Sequence, residues 1–243
     1  MPITNPQTNT RIDEIADSIY RISTPVPPNP ALPTGFSFNQ FLIVDDEPLL
    51  FHTGMVGLFP LVREAVAAVM PPERLRYVAY SHAEADESGS LAQWLDIAPR
   101  AAAVCSQVSA VIGNAGVSDR APRPLSDGEV LSLGKKSVRW FDAPHVPHGW
   151  DCGYLGEVTT RTLFCGDLFT QAGAEHAPVT ESEVLGPSEG MRAAMDYFAR
   201  GPNTQATLER LAAFEPRLLA CMHGASYRGD GAAHLLALAK ALA

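Results

Sequence analysis

Residues 81–89 read Ser-His-Ala-Glu-Ala-Asp-Glu-Ser-Gly, SHAEADESG, directly after the apolar run Arg76–Tyr80 (RYVAY). His82, Glu84 and Asp86 alternate, and in an extended segment alternate side chains point the same way, so three metal-ligating groups can face one cavity. A plainer reading is that Asp86 and Glu87 favour the positive start of a following helix, with His82 a satisfied core histidine. That reading weakens once the rest of the chain is added. His145, Asp167 and His223 complete a set of six potential ligands, and each follows a short apolar run: Val138–Phe141 (VRWF), Thr162–Cys165 (TLFC) and Leu218–Cys221 (LLAC). Such runs, bounded by polar residues or glycine, are strand-like. Sheets covered by helices bind ligands beyond their strand ends, so one rim should gather the set. Asp167 lies between Phe164-Cys165-Gly166 and Leu168-Phe169, and a charge in apolar surroundings must be paired or bound to metal. His223, after Leu218–Met222, carries the same requirement.

Working outward, the first fifty residues read as β structure. Ile12–Ile22 alternates loosely, a proline-rich loop covers Pro25–Pro33, and the runs Phe38–Val44 and Leu49–Phe51 flank Asp45-Asp46-Glu47-Pro48 as a hairpin. Leu61, Val62, Ala65, Val66 and Val69 recur at helical spacing, and Pro71–Pro72 ends that helix. A helix is expected from Gly89–Leu95, a strand at 101–105 and a helix over Val108–Gly113. Further strands follow at 129–133, 137–142 and 153–165, and helices at 190–199, 204–213 and 230–242, with the strand 218–221 among them. The order is β-rich, mixed, β-rich, mixed, which predicts two similar halves stacked as sheets with helices outside. Residues 170–189 are polar and aperiodic; they read as a long loop that roofs the site.

Length and composition bound the class. A chain of 243 residues, 46% hydrophobic, can bury a sizeable core, and nothing forces a split, so 1–243 is read as a single domain. The formal charge of −9 argues against a nucleic-acid backbone as partner. Lysine occurs only at 135, 136 and 240, from which no function follows. The amino terminus shows no secretory signal and no run of about 18 apolar residues exists to span a bilayer; a cytoplasmic protein, without membrane association, is the expectation. Cys105, Cys152, Cys165 and Cys221 form no CxxC pair, and the bland reading is buried thiols.

SHAEADESG (81–89), PHVPHGW (144–150), CGDLF (165–169) and MHGASYRG (222–229), in that order, resemble the metal-binding motifs of the metallo-β-lactamase superfamily. Specifically they resemble its diiron branch, the flavodiiron and oxygen-binding diiron proteins, and GFSFNQFLIVDD at 35–46 is similar to the opening hairpin of that branch. The likeness covers about residues 12 to 223. It implies an α+β fold, a four-layer αβ/βα sandwich. It also implies that His82, Glu84 and His145 hold one metal, that Asp86 and His223 hold the other, and that Asp167 bridges, with Asp167 and Glu84 at the reacting centre. His145 is chosen over His148 because it is followed by Val-Pro, as the family histidine is followed by a residue and proline; His148 is then outer shell or loop. Where the zinc hydrolases carry H-x-H-x-D-H, this chain has His82-x-Glu84-x-Asp86, and a carboxylate in place of an imidazole suits iron, or manganese, better than zinc. Two iron ions are therefore expected.

Two departures stand out. Flavodiiron proteins usually follow the aspartate with histidine, but position 87 is glutamate. If Glu87 binds, the carboxylates Glu84, Asp86, Glu87 and Asp167 neutralise two ferrous ions; if it does not, the second metal keeps an open position. Flavodiiron proteins also append an FMN-carrying flavodoxin-like domain, whereas this sequence ends at Ala243, so no FMN is expected in the chain and a separate electron-transfer protein is implied. The resemblance implies a non-haem diiron protein that binds and reduces dioxygen or nitric oxide, and a homodimer. The alternatives are a dinuclear metal-dependent hydrolase of esters, thioesters or phosphodiesters, and an oxygen-sensing binding module. His52 follows a strand where this fold often carries an aspartate, but a surface or core role is favoured. Trp150 and Tyr227 read as wall, His176 as loop and His234 as structural.

Overall fold

The computed structural model describes residues 3–112 and 118–243. The amino-terminal half builds a sheet of eight strands in sequence order. These are β1 (Ile3–Asn5), β2 (Thr10–Ala16), β3 (Ile19–Val26), β4 (Phe36–Ile43), β5 (Leu49–Phe51), β6 (Tyr77–Ala79), β7 (Ala102–Ser106) and β8 (Arg123–Leu125). Strands β1 to β5 pair antiparallel, and β5 to β8 pair parallel. Four helices accompany them: α1 (Phe59–Ala67), α2 (Ala85–Ser88), α3 (Leu91–Ile97) and α4 (Gln107–Ile112). The expected helix over Val108–Gly113 is α4; its last residue lies outside the described residues. The expected hairpin is β4 and β5, antiparallel with Ile43 opposite Leu49.

The second half forms a sheet in the order β13-β15-β14-β12-β11-β10-β9. Its strands are β9 (Val130–Ser132), β10 (Ser137–Asp142), β11 (Gly153–Glu157), β12 (Thr162–Phe164), β13 (Val179–Thr180), β14 (Leu218–Ala220) and β15 (Ser226–Arg228). Helices α5 (Leu185–Met195), α6 (Thr204–Ala212) and α7 (Gly231–Ala241) belong to this half.

Period-2 alternation along buried strands builds the four layers, because successive residues must satisfy different neighbours. In the first sheet Leu42, Leu50 and Val78 pack with Val62, Val66, Trp94 and Leu95 of α1 and α3. Their neighbours Phe41, Ile43, Phe51 and Ala79 instead meet Trp140, Leu155, Phe164 and Ala220 of the second sheet. On the far side Leu163, Cys165, Leu219 and Cys221 pack with Leu208, Leu211, Leu235 and Leu238 of α6 and α7. The layers are thus helix, sheet, sheet, helix, the expected α+β sandwich. All four cysteines are buried and free. Among the described residues no helix is long and apolar enough to cross a membrane.

The stretch 170–189 departs from its reading as a structureless roof. Val179–Thr180 is strand β13, parallel to β15, and α5 already starts at Leu185. Gly186 and Pro187 fall in its first turn, where proline is tolerated because its missing N–H has no partner to lose. The same helix ends at Met195 rather than 199, where Asp196 adopts a left-handed φ of 48°.

Gly153, the first residue of β11, tests the packing of β11 against its neighbour β10. A Cβ there would lie 2.2 Å from Trp140 Cζ2 and 2.9 Å from the Phe141 carbonyl oxygen. The indole cannot yield freely, since Trp140 is fully buried and its Nε1 donates to Asp142 Oδ1 at 2.7 Å. Gly153→Ala is therefore expected to destabilise the fold by about 1–3 kcal/mol, as overpacking generally does. Urea unfolding reads this as a lower midpoint; an unchanged midpoint would contradict the packing described.

Candidate metal centre

His82, Asp167 and His223 lie in the segments that follow β6, β12 and β14, at one rim of the sandwich. Cross-sheet hydrogen bonds close that rim: Gly153 N donates to the Ser81 carbonyl at 2.9 Å, and Asn39 N to that of Met222 at 2.9 Å. Gly166, at φ +49°, lets the chain turn tightly before Asp167, and a Cβ there would meet Ser81 Oγ at 2.8 Å. The first motif is not one extended strand. Glu84 is extended (φ −129°, ψ 156°), but Asp86 and Glu87 fall in the first turn of α2. Successive residues on a helix point about 100° apart. Asp86 consequently joins the cluster while Glu87 turns into the protein.

Two groups of donors result. In the first, His82 Nε2 lies 2.7 Å from Glu84 Oε2 and 3.0 Å from His148 Nε2, and His148 Nε2 lies 3.1 Å from Glu84 Oε2. Asp167 Oδ2 joins them, 3.4 Å from His148 Nε2 and 3.9 Å from His82 Nε2. In the second, His223 Nε2 lies 3.5 Å from Asp86 Oδ2 and 3.3 Å from Asp167 Oδ1. One carboxylate thus offers an oxygen to each group. Ligand atoms at about 2.1 Å from a shared ion sit roughly 3 to 3.5 Å apart, so both groups have the spacing of metal shells. Two imidazole nitrogens facing each other at 3.0 Å need a shared proton or a cation between them, which the donor set fits.

His145 is corrected by the structure. It is exposed with φ +65°, and among the described residues the cluster includes His148 in its place. The chain reverses between the two, with His145 N donating to the Gly149 carbonyl at 2.7 Å and Val146 and Pro147 buried in the turn. That reversal swings position 148 inward and 145 out, so the Val-Pro after His145, which favoured it in the sequence, does not mark the inward histidine. Glu87 as a ligand is corrected too: it is fully buried behind His82, with its carboxylate on Ser81 and His82.

Each imidazole's second nitrogen faces an acceptor. His148 Nδ1 meets the Tyr197 carbonyl at 2.9 Å and His223 Nδ1 the Ser37 carbonyl at 2.9 Å. His82 Nδ1 lies 3.1 Å from Glu87 Oε2, off the axis of an aligned hydrogen bond, so it is counted as a charge contact. With Nδ1 carrying the proton, Nε2 keeps a lone pair for a metal. Both His82 and His223 are opposed by burial, which lowers their pKa, but neighbouring carboxylates prevail. His82 is raised far above the usual imidazole range by Glu87 and Glu84, and His223 is raised to about 10 by Asp167 and Asp86. Hydrogen bonds from His148 and His82 hold Glu84 well below the usual carboxylate range.

A cavity of about 160 Å³ opens on the cluster, bounded by Phe36, Thr170, Met195 and Tyr197 besides Glu84, Asp86, His148, Asp167 and His223. Phe36 stacks on His223 with ring centroids 4.3 Å apart. Tyr197 also holds Asp167, its hydroxyl donating to that residue's carbonyl at 3.2 Å. Neither Phe36 nor Tyr197 announces itself in the sequence as a wall of the site. Trp150 is exposed; Tyr227 is buried in the outer core, its ring 3.9 Å from that of His234. His176 contacts the Gly173 carbonyl at 3.0 Å within its own loop.

The model of the ODP family of β-lactamases matches residues 36–224. The rubredoxin-oxygen oxidoreductase of Megalodesulfovibrio gigas is 24% identical over 208 residues, covering 81% of this chain and 50% of that protein. A nitric oxide reductase of Moorella thermoacetica is 30% identical over 142 residues, 56% of this chain and 35% of the relative. The chain thus spans half or less of the length of these curated relatives. The crystal structure of the flavodiiron protein from Giardia intestinalis superposes with a TM-score of 0.79 at 21% identity, over 95% of this chain and 59% of that one.

Proposed function

Because the chain belongs to the ODP family of β-lactamases, we propose that it is a non-haem diiron protein that binds dioxygen or nitric oxide and reduces it with electrons from a separate transfer protein. The observation that carries this reading is the shared carboxylate of Asp167, with one oxygen toward His82 and His148 and the other toward His223. His82, Glu84 and His148 would hold the first ion and Asp86 and His223 the second, with Asp167 available to both. When bound, the iron pair supplies the electrons and the open positions for the small molecule. Among the described residues the second group offers three protein donors, Asp86, His223 and Asp167, so an ion there would keep the more open coordination. Glu84 in the first motif favours iron over zinc, because a hard oxygen donor replaces a nitrogen.

The remaining residues shape what reaches the metals. Phe36 and Met195 present apolar surface to the cavity beside the donors. Thr170 fixes the Asp167 backbone by donating to its carbonyl at 2.7 Å. His148 and Glu84 are the more exposed donors, with side chains 30% and 49% accessible, and they mark the side open to solvent.

Anaerobic purification followed by metal analysis and optical spectra tests the reading. Iron near two ions per chain, with an absorption that appears on admitting oxygen, is the expected result. Tightly held zinc together with esterase activity would overturn it in favour of a hydrolase, and oxygen that binds and leaves unreduced would mark a sensor.

A further inference from the structure

Glu87 is a carboxylate with no access to solvent, and its surroundings are built for a negative charge. Ser81 N and His82 N donate to Oε2 at 3.1 and 2.7 Å, and Ser81 Oγ donates to the same carboxylate at 2.5 Å. Two imidazoles flank it: His82 Nδ1 lies 3.1 Å from Oε2, and His52 Nε2 lies 3.4 Å from Oε1. His52 is itself fully buried, sits in the left-handed region at φ +64°, and stacks on Phe51 with centroids 4.2 Å apart. His52 Nε2 and His82 Nδ1 have no aligned hydrogen-bond partner among the described residues, and Glu87 is the acceptor that both face. The backbone holds the arrangement, since Thr53 N and Thr53 Oγ1 both donate to the Glu87 carbonyl, at 2.7 and 3.1 Å.

We propose that Glu87 is a positioning residue of the metal centre: it orients His82 so that Nε2 faces Glu84 and His148, and its charge reaches the bound ion through that imidazole, with His52 supporting its far oxygen. The inference rests on the reading of the cluster as a metal centre. A buried carboxylate uncompensated by donors would be strongly unfavourable; here one oxygen lies on the back of His82 and the other toward His52, with Ser81 donating to the carboxylate. Carboxylates so placed raise the basicity of the histidine and fix its tautomer. The charge balance follows: Glu84, Asp86 and Asp167 would touch the ions and Glu87 stands one imidazole behind, four negative charges for two divalent cations. Glu87 therefore neutralises the pair without occupying the open position that a ligand at 87 would close.

Glu87→Gln keeps the size and removes the charge. Anaerobic titration with cobalt(II), followed by its absorption, should show two sites in the unsubstituted protein and an affinity roughly 10- to 100-fold weaker at one of them in the variant, the range for loss of an outer carboxylate. Reconstituted with iron, the variant should show a higher reduction potential, a readout that looser packing alone would not move in a consistent direction. Cobalt affinity within about threefold of the parent and an unchanged potential, in a variant whose circular dichroism shows it folded, would overturn the proposal. If Glu87→Gln does not fold, Glu87→Asp keeps the charge but withdraws the carboxylate by one methylene. It should then weaken cobalt binding while leaving the potential near that of the parent, and parental affinity would overturn the proposal. Absence of cobalt binding in the unsubstituted protein would instead overturn the metal-centre reading itself.

Discussion

Asp167→Asn is expected to leave a chain that retains one metal ion or none after anaerobic reconstitution and dialysis. Asparagine matches the volume but removes the charge and replaces one of two oxygens by an NH2 group, which cannot ligate. Each group of donors would feel the change, because Oδ2 lies 3.4 Å from His148 Nε2 while Oδ1 lies 3.3 Å from His223 Nε2. The second group suffers more: it keeps only Asp86 and His223, too few to hold an ion against water. The loss there should exceed the roughly 100-fold that marks the upper range for an outer-shell partner. Metal content by elemental analysis decides it, and a variant that keeps both ions would show that Asp167 is not shared.

The metal-free protein should lose stability as pH rises from about 6.5 toward 10. His82 and His223 have folded pKa values raised above the unfolded imidazole value of 6.5, His223 to about 10. Groups raised on folding contribute their full stabilisation below the unfolded pKa and lose it as pH climbs through the folded one. For His223 alone that is on the order of 4 kcal/mol, which for a chain of this size corresponds to a melting temperature lower by about 10 °C. Glu84 acts on the other flank: its lowered pKa gives stability present above the usual carboxylate value of 4.5 and lost as pH falls further. Metal reverses the alkaline trend, since ligation needs neutral imidazoles and displaces their protons, so affinity grows with pH. Thermal unfolding of chelated and loaded protein at pH 6, 8 and 10 reads both effects. A chelated protein that becomes more stable over that range would contradict the charge state assigned to the cluster.

Much of this was legible in the residues because it depends on period and sequence position. The buried runs before His82, Asp167 and His223 appear as β6, β12 and β14, since a strand covered on both faces can hardly be anything but continuously apolar. The hairpin of β4 and β5 and the helices α1, α6 and α7 follow from the same logic. Elements whose local chemistry was ambiguous read less well. Gly186-Pro187 stands inside the first turn of α5 rather than before it, and the short β13 exists only because β15 offers it an edge.

At the site, sequence alone determined the inventory: which residue types are present, after which strands, and the oxygen-rich first motif that sets this chain apart from the zinc hydrolases. Orientation belonged to the tertiary structure. Only the folded turn after β10 puts His148 rather than His145 among the donors, and only the first turn of α2 separates Asp86, which faces the cavity, from Glu87, which faces His52. Adjacent side chains on a turn diverge by an angle set through backbone hydrogen bonds to distant strands, and those partners lie dozens of residues away along the chain.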